Sequence, residues 1–163
     1  MRRGASEEYL PRRFQRILSP SSFGPIVLLI GDEPTTRSTA LRVLQHAGYE
    51  VRCARLEMRT AAHLGKATGA TLGPIELVVL DASRQPPLSL ALLEALRQTD
   101  STIPVIAVVG GDPATREEIS RLGAEAVLDS PLDDRRLLSA AERLAPLLRG
   151  FDVDLESFGT SFH

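Results

Sequence analysis

The sequence has little of what marks several classes of protein. It has no tryptophan, one cysteine (Cys53) and a net charge of only −2 over 163 residues. One cysteine excludes an internal disulfide, and on a predicted strand we expect Cys53 to be a small core residue in a reducing cytoplasm. A net charge near zero gives no indication of a nucleic-acid partner. No apolar run approaches the roughly 18 residues that a membrane span requires, so we expect no membrane insertion.

Aromatic residues are also few, and their placement divides the chain. They make up 4% of the sequence, and all five phenylalanines lie in residues 1–24 or 150–163. We therefore predict an N-terminal basic extension (1–24), a central domain (25–149) and a C-terminal acidic and aromatic tail (150–163). Disordered segments are usually poor in aromatics. The two flanks are expected either to cover the domain's own helices or to contact a partner, including a second copy of the chain.

The central domain alternates apolar runs with amphipathic segments. The pattern predicts strands at 25–30, 50–54, 75–80, 103–109 and 124–128, and helices at 35–47, 58–67, 89–97, 113–122 and 133–148. Strands that alternate with helices of this length indicate an α/β domain with a parallel sheet covered on both faces. With five strands, we expect the flavodoxin-like order 2-1-3-4-5.

Two acidic residues follow apolar strands in this arrangement. Asp81 comes directly after the run 77–80, and Asp32 follows the run 26–30 after one glycine. Strands 1 and 3 are neighbours in the predicted order, so both carboxylates are expected to meet at the carboxyl edge of the sheet. Paired carboxylates suit Mg²⁺, and an aspartate is also a nucleophile that can form an acyl phosphate. The more ordinary interpretation is that both acids cap turns at strand ends.

Four segments in order carry a resemblance to a known family. They are IVLLIGDEP (26–34), ELVVLD (76–81), IPVIAVVG (103–110) and GAEAVLDSPL (123–132). Together they resemble the receiver domain of two-component response regulators, over roughly residues 25–148. The resemblance implies that a histidine kinase transfers a phosphoryl group to Asp81. It also implies Mg²⁺, held weakly by Asp32, Asp81 and the backbone carbonyl of Ser83.

The sequence departs from the family at the residues that respond to the phosphoryl group. Gly31 stands where the family has the first acid of a pair, and Val109 stands where it has Thr or Ser. Ser130 replaces a lysine, and Val127 replaces an aromatic residue. A hydrogen bond to a charged group contributes about 1.5–3 kcal/mol. Because a two-state switch needs about 5.5 kcal/mol of differential binding, losing the hydroxyl and the ammonium removes most of the driving force.

We therefore interpret the chain as an atypical, stand-alone receiver that signals mainly by binding proteins and is not an enzyme. Its expected partner is a histidine kinase or another signalling protein, and a homodimer is a further candidate. By resemblance, the contact face comprises the fourth helix, fifth strand and fifth helix, with Thr115, Glu118, Arg121, Arg135 and Arg136 as candidate contacts. Two alternatives stay open: a working phosphoacceptor that uses Asp81 and Mg²⁺, and a flavodoxin-like protein that binds a small ligand or nucleotide.

Overall fold

The computed structural model describes residues 24–60, 75–98 and 102–147. Most of the predicted central domain falls within these ranges. The predictions for the N-terminal extension and the C-terminal tail concern residues outside them, apart from Gly24. Most of the helix predicted at 58–67 also lies outside, since only its residues 58–60 are described, and these are helical (α2). None of the described helices is both long and apolar enough to cross a membrane.

Five parallel strands form the sheet in the order β2-β1-β3-β4-β5. They are β1 (Ile26–Ile30), β2 (Glu50–Ala54), β3 (Ile75–Ala82), β4 (Val105–Val109) and β5 (Ala126–Asp129). Every residue of β1 and β4 is buried, as expected for inner strands of a sheet that is covered on both faces. The observed order confirms the predicted flavodoxin-like fold.

Four further helices connect or follow the strands: α1 (Pro34–Ala47), α3 (Pro86–Gln98), α4 (Pro113–Arg121) and α5 (Asp134–Leu144). Glu33, Asp112 and Asp133 cap the N-termini of α1, α4 and α5 through their carboxylates. Helix α3 begins at Pro86 rather than at residue 89, because proline is tolerated in the first turn of a helix. Helix α5 ends at Leu144 rather than at residue 148, before Pro146.

The sheet separates two hydrophobic layers. Alternate residues of β1 point to opposite faces, so Leu28 and Ile30 pack with α3 and α4, while Val27 and Leu29 pack with α1 and α5. The prediction for Cys53 was wrong, because its side chain is exposed. It lies on β2, an outer strand of the sheet.

Candidate functional site

Asp81 lies within β3 rather than just after it. The strand extends to Ala82, and Asp81 pairs with Val108 of β4. The predicted strand end at residue 80 was therefore too early. Asp81 is only 4% exposed, so its carboxylate is reached from one side, the carboxyl edge of the sheet.

Asp32 and Asp81 line the same pocket, as the predicted strand order required. The pocket has a volume of about 320 Å³. The residues that line it, here called the acidic pocket, are Asp32, Glu33, Leu56, Asp81, Arg84 and Gln85. The two acids line one pocket because β1 and β3 pair up to Ile30 and Leu80, and the acids follow within two residues of this last pair. The arrangement places carboxylates from neighbouring strands around one opening.

Ser83 holds one oxygen of the Asp81 carboxylate. The backbone N–H of Ser83 donates to Asp81 Oδ1 at 3.0 Å, and its hydroxyl donates to the same oxygen at 2.6 Å. Such a bond to the backbone two residues on is typical of an aspartate that stabilises a turn. Ser89 adds a bond from its hydroxyl to the Asp81 carbonyl at 3.3 Å. The loop after β3 is therefore organised around Asp81.

The backbone of Gly31 packs directly against Asp81. A Cβ atom at Gly31 would lie 2.5 Å from the Asp81 Cβ and 3.4 Å from Asp81 Oδ2. Carbon atoms in van der Waals contact are about 3.5–4.0 Å apart, so no side chain fits there without movement. Gly31, which stands where the family has an acid, therefore has no space for a side chain beside Asp81.

The comparisons with known proteins agree with this geometry. No protein-family model matches the chain. The transcriptional regulatory protein AruR of Pseudomonas aeruginosa is 33% identical over 131 residues, which are 77% of this chain and 51% of the relative. The chain thus spans about half the length of the curated relative that it matches.

Solved structures include the receiver domain of NtrX from Brucella abortus, with 27% identity and a TM-score of 0.60 over 72% of this chain and 96% of that one. A response regulator from Thermotoga maritima shares the fold at 20% identity, with a TM-score of 0.61 over 74% and 96%. This chain contains a response regulator receiver domain. The role of Asp81 as the family's phosphoacceptor stays a prediction of the sequence resemblance.

The receiver's acidic pocket fits Mg²⁺ only with a small set of protein ligands. Asp32 is exposed, and Asp81 Oδ2 is not the oxygen that Ser83 engages. Glu33 already caps α1 by accepting from the Thr36 N–H at 2.8 Å. Among the described residues, no three His, Cys, Asp or Glu side chains cluster as a metal site. The predicted ligands Asp32, Asp81 and the Ser83 carbonyl would leave most positions of the ion to water and phosphate oxygens.

Arg84 is the one cationic residue among those that line the pocket, and the sequence analysis did not include it. It lies three positions after Asp81 and lines the same opening as Asp32 and Asp81. Its guanidinium brings positive charge to a pocket whose negative carboxylates a metal ion would otherwise neutralise. The signal was present, because any residue in the loop after β3 must lie at the carboxyl edge of the sheet.

The predicted switch positions on β4 and β5 carry two valines and a serine. Val109 is fully buried at the end of β4, and its carbonyl accepts from the Ser130 N–H at 2.8 Å. Ser130 is exposed and precedes Pro131 in a cis peptide bond. Val127 is half-buried against the core on the α3 and α4 side. Three of the four substitutions noted in the sequence therefore lie on β4, on β5 or directly after β5, while Gly31 follows β1.

The predicted partner residues differ in their availability. Thr115 is the least available of them, because it is only 8% exposed and its hydroxyl donates to Asp112 at 2.7 Å. This hydrogen bond, with that of the Ala114 N–H, lowers the pKa of Asp112. Glu118 and Arg121 form an ion pair within α4, which raises the pKa of Arg121. A partner that binds either of these side chains would have to compete with the ion pair between them.

Arg135 and Arg136 are exposed and line an open groove of about 580 Å³ between β5 and α5. One wall contains Ala126, Val127 and Leu128 of β5, and the other carries Arg135, Arg136 and Arg143 of α5. We call this feature the arginine groove. It lies on the predicted contact face, at the outer edge of the sheet. Arg143 is a further candidate contact that the sequence reasoning did not include.

Proposed function

We propose that this receiver domain acts mainly as a protein-binding module, and that its phosphorylation switch is impaired or absent. The observation that carries the proposal is the pair of neighbours Val109 and Ser130, which bring neither a buried hydroxyl nor a cation to the ends of β4 and β5. Two hydrogen bonds to a charged group, at about 1.5–3 kcal/mol each, are lost relative to the family pattern. Most of the roughly 5.5 kcal/mol that a full switch requires is then missing.

The environment of Asp81 supports the same proposal. The residue is 4% exposed, Ser83 engages one carboxylate oxygen, and the Gly31 backbone closes the side where the family has an acid. When Mg²⁺ is bound, it would offset the charge repulsion between this carboxylate and a phosphoryl donor. Asp32 and Asp81, with the Ser83 carbonyl, are the groups that would hold it. Asp81 then serves chiefly to organise the loop after β3.

The proposed partner is a histidine kinase or another signalling protein, with a second copy of the chain as a further candidate. The exposed arginines of α5 support a contact on the predicted face, since interface contacts are enriched in Arg. We propose no catalytic activity for the chain. AruR is a transcriptional regulatory protein, but the present chain covers about half of its length.

A working phosphoacceptor is the second candidate function. It is favoured by the shared acidic pocket of Asp32 and Asp81, and by the cation that Arg84 adds there. A small-ligand protein of the flavodoxin type has less support. The N-terminus of α1, where such a fold binds phosphate, is capped by the carboxylate of Glu33.

Incubation with Mg²⁺ and acetyl phosphate, followed by intact mass spectrometry, tests the proposal. We expect no more phosphoryl adduct on the natural chain than on Asp81→Asn, and no change in its thermal unfolding. The matched variant carries Val109→Thr and Ser130→Lys, which return the two missing groups, and we expect it to respond more strongly to the donor. An adduct on the natural chain that disappears in Asp81→Asn would instead establish the working phosphoacceptor.

A further inference from the structure

The arginine groove has positive charge that the rest of the described structure does not neutralise. Arg135, Arg136 and Arg143 form no ion pair with any described residue, and no described carboxylate lines the groove. Three acids close to the groove in sequence are engaged elsewhere, and one of them, Asp133, caps α5. Asp134 pairs with Arg42 at 3.1 Å, and Asp129 pairs with Arg116. An occupant of this groove should therefore be acidic.

An occupant of the groove must also present an apolar side. The β5 wall is lined by Ala126, Val127 and Leu128, all half-buried, while the three arginines stand on the α5 wall. The apolar side chains on the α5 side are those of Ala126 and Leu128, since Val127 packs against the opposite core layer. β5 is an outer strand that pairs only with β4 among the described strands. An extended segment with one apolar and one acidic face matches these two walls, because alternate residues of an extended chain point in opposite directions.

The C-terminal tail of this chain contains such a segment. In residues 151–156, Phe151, Val153 and Leu155 alternate strictly with acidic residues at 152, 154 and 156. Strict alternation of apolar and polar residues is typical of an extended strand with one buried face. The segment has three negative charges and no positive charge, and the α5 wall has three positive charges.

The lengths agree as well. Helix α5 ends at Leu144, one residue after Arg143, so the chain leaves the helix at one end of the groove. From Arg136 to Arg143 the helix rises about 10 Å, at 1.5 Å per residue. From Asp152 to Glu156 an extended chain covers about 13 Å, at 3.3 Å per residue. A segment that turns back after α5 therefore spans the arginines along the length of the groove.

We propose that residues 151–156 dock in the arginine groove of their own chain. The apolar side chains lie against β5, and Asp152 and Glu156 face Arg143 and Arg136. Only residues 148–150 separate the segment from the described end of the domain, and a tether this short gives an effective concentration in the millimolar range. The inference rests on the proposed function in one respect: the docked tail covers the face assigned to the protein partner and competes with it.

Thiol labelling of the full chain tests the docking. Ser139 is exposed and lines the groove, so Ser139→Cys places a reporter there, while the natural Cys53 on β2 at the other edge of the sheet serves as an internal control. The labelling rate at both thiols is measured by peptide mass spectrometry. A second chain also carries Asp152→Asn, Asp154→Asn and Glu156→Gln.

We expect neutralisation of the three acids to raise the rate at position 139 about threefold or more, the change for a tail that occupies the groove two thirds of the time. The rate at Cys53 should stay unchanged. Arg143→Glu should also raise the rate at position 139, and adding Asp152→Arg should lower it again. Equal rates at position 139 in both chains would overturn the proposal, and so would a rise at both thiols, which reports general loosening.

Dilution separates docking within one chain from docking between two copies. For a tail that binds its own groove, the rate at position 139 is independent of protein concentration. A rate that rises on dilution would overturn the proposal in favour of exchange between two chains. Because the assay contains no partner and no phosphodonor, a negative result leaves the proposed function intact. A phosphoryl adduct on Asp81 would likewise leave the docking intact.

Discussion

The acidic pocket and the arginine groove are both polar, but they use their charges differently. In the pocket, the polar groups bind the protein itself: Ser83 engages Asp81, and Glu33 caps α1. In the groove, three exposed arginines have no ionic partner among the described residues, and the nearby acids Asp134 and Asp129 pair with other arginines. The pocket thus stabilises the domain, whereas the groove is available to an occupant. A fold can keep the position of a reactive residue while its accessible charge lies on another face.

The largest effect should come from the core beneath the pocket. Leu80 is 1% exposed and precedes Asp81 in β3. Replacing a buried leucine by alanine removes apolar contacts and leaves a cavity, so Leu80→Ala should lower the free energy of unfolding by about 2–5 kcal/mol. The measurement is urea denaturation. Arg136→Ala in the groove is the control, and its change should stay within about 0.5 kcal/mol. Similar losses in both variants would remove the proposed difference between the regions.

An intermediate effect is expected where the pocket is closed by backbone. Gly31→Ala puts a Cβ atom 2.5 Å from the Asp81 Cβ, so β1 or β3 must shift. Overpacking of this kind should lower the unfolding free energy by about 1–3 kcal/mol, measured by thermal or urea unfolding. Gly31→Asp should also destabilise the domain and fail to rebuild an acid pair.

Gly111 provides the matched control for that prediction. Apart from its two chain neighbours, no described residue has an atom within 4 Å of a Cβ placed at Gly111. Gly111→Ala should therefore change the unfolding free energy by less than about 0.5 kcal/mol, or raise it slightly through the unfolded state. If the two glycine variants were equally stable, the Gly31 backbone would not be closing the pocket.

The smallest effect is expected at the ion pair beside the groove. Arg42 and Asp134 connect α1 to α5 at 3.1 Å, with side chains 63% and 52% exposed. A double-mutant cycle with Arg42→Ala and Asp134→Ala should give a coupling free energy of about 0.2–1 kcal/mol, decreasing with added salt. A coupling of zero would mean that this ion pair does not hold Asp134 to Arg42, which would weaken the charge contrast between the two regions.

Most of the fold was predictable from local patterns, and the errors lie at the ends of elements. β3 continues through Asp81 and Ala82 because β4 offers Val108 and Val109 as partners in register. Helix α3 starts at Pro86, since proline fits the first turn. Thr115 looked like a surface residue of a helix, yet it bonds to the cap Asp112 and is buried. Strand-pairing and capping partners of this kind depend on contacts that the apolar periodicity of the sequence does not predict.

By itself, the sequence determined the family and the strand order, because these follow from apolar periodicity and residue type. It also determined that position 109 has no hydroxyl and that position 130 has no cation. Tertiary structure alone decided how the remaining groups are used. The chain path brings Gly31 against Asp81 and Arg84 into the same pocket. It also pairs Asp134 with Arg42, 92 residues away, and so leaves the arginines of α5 exposed. Contacts between residues this far apart in the sequence depend on how the helices pack on the sheet.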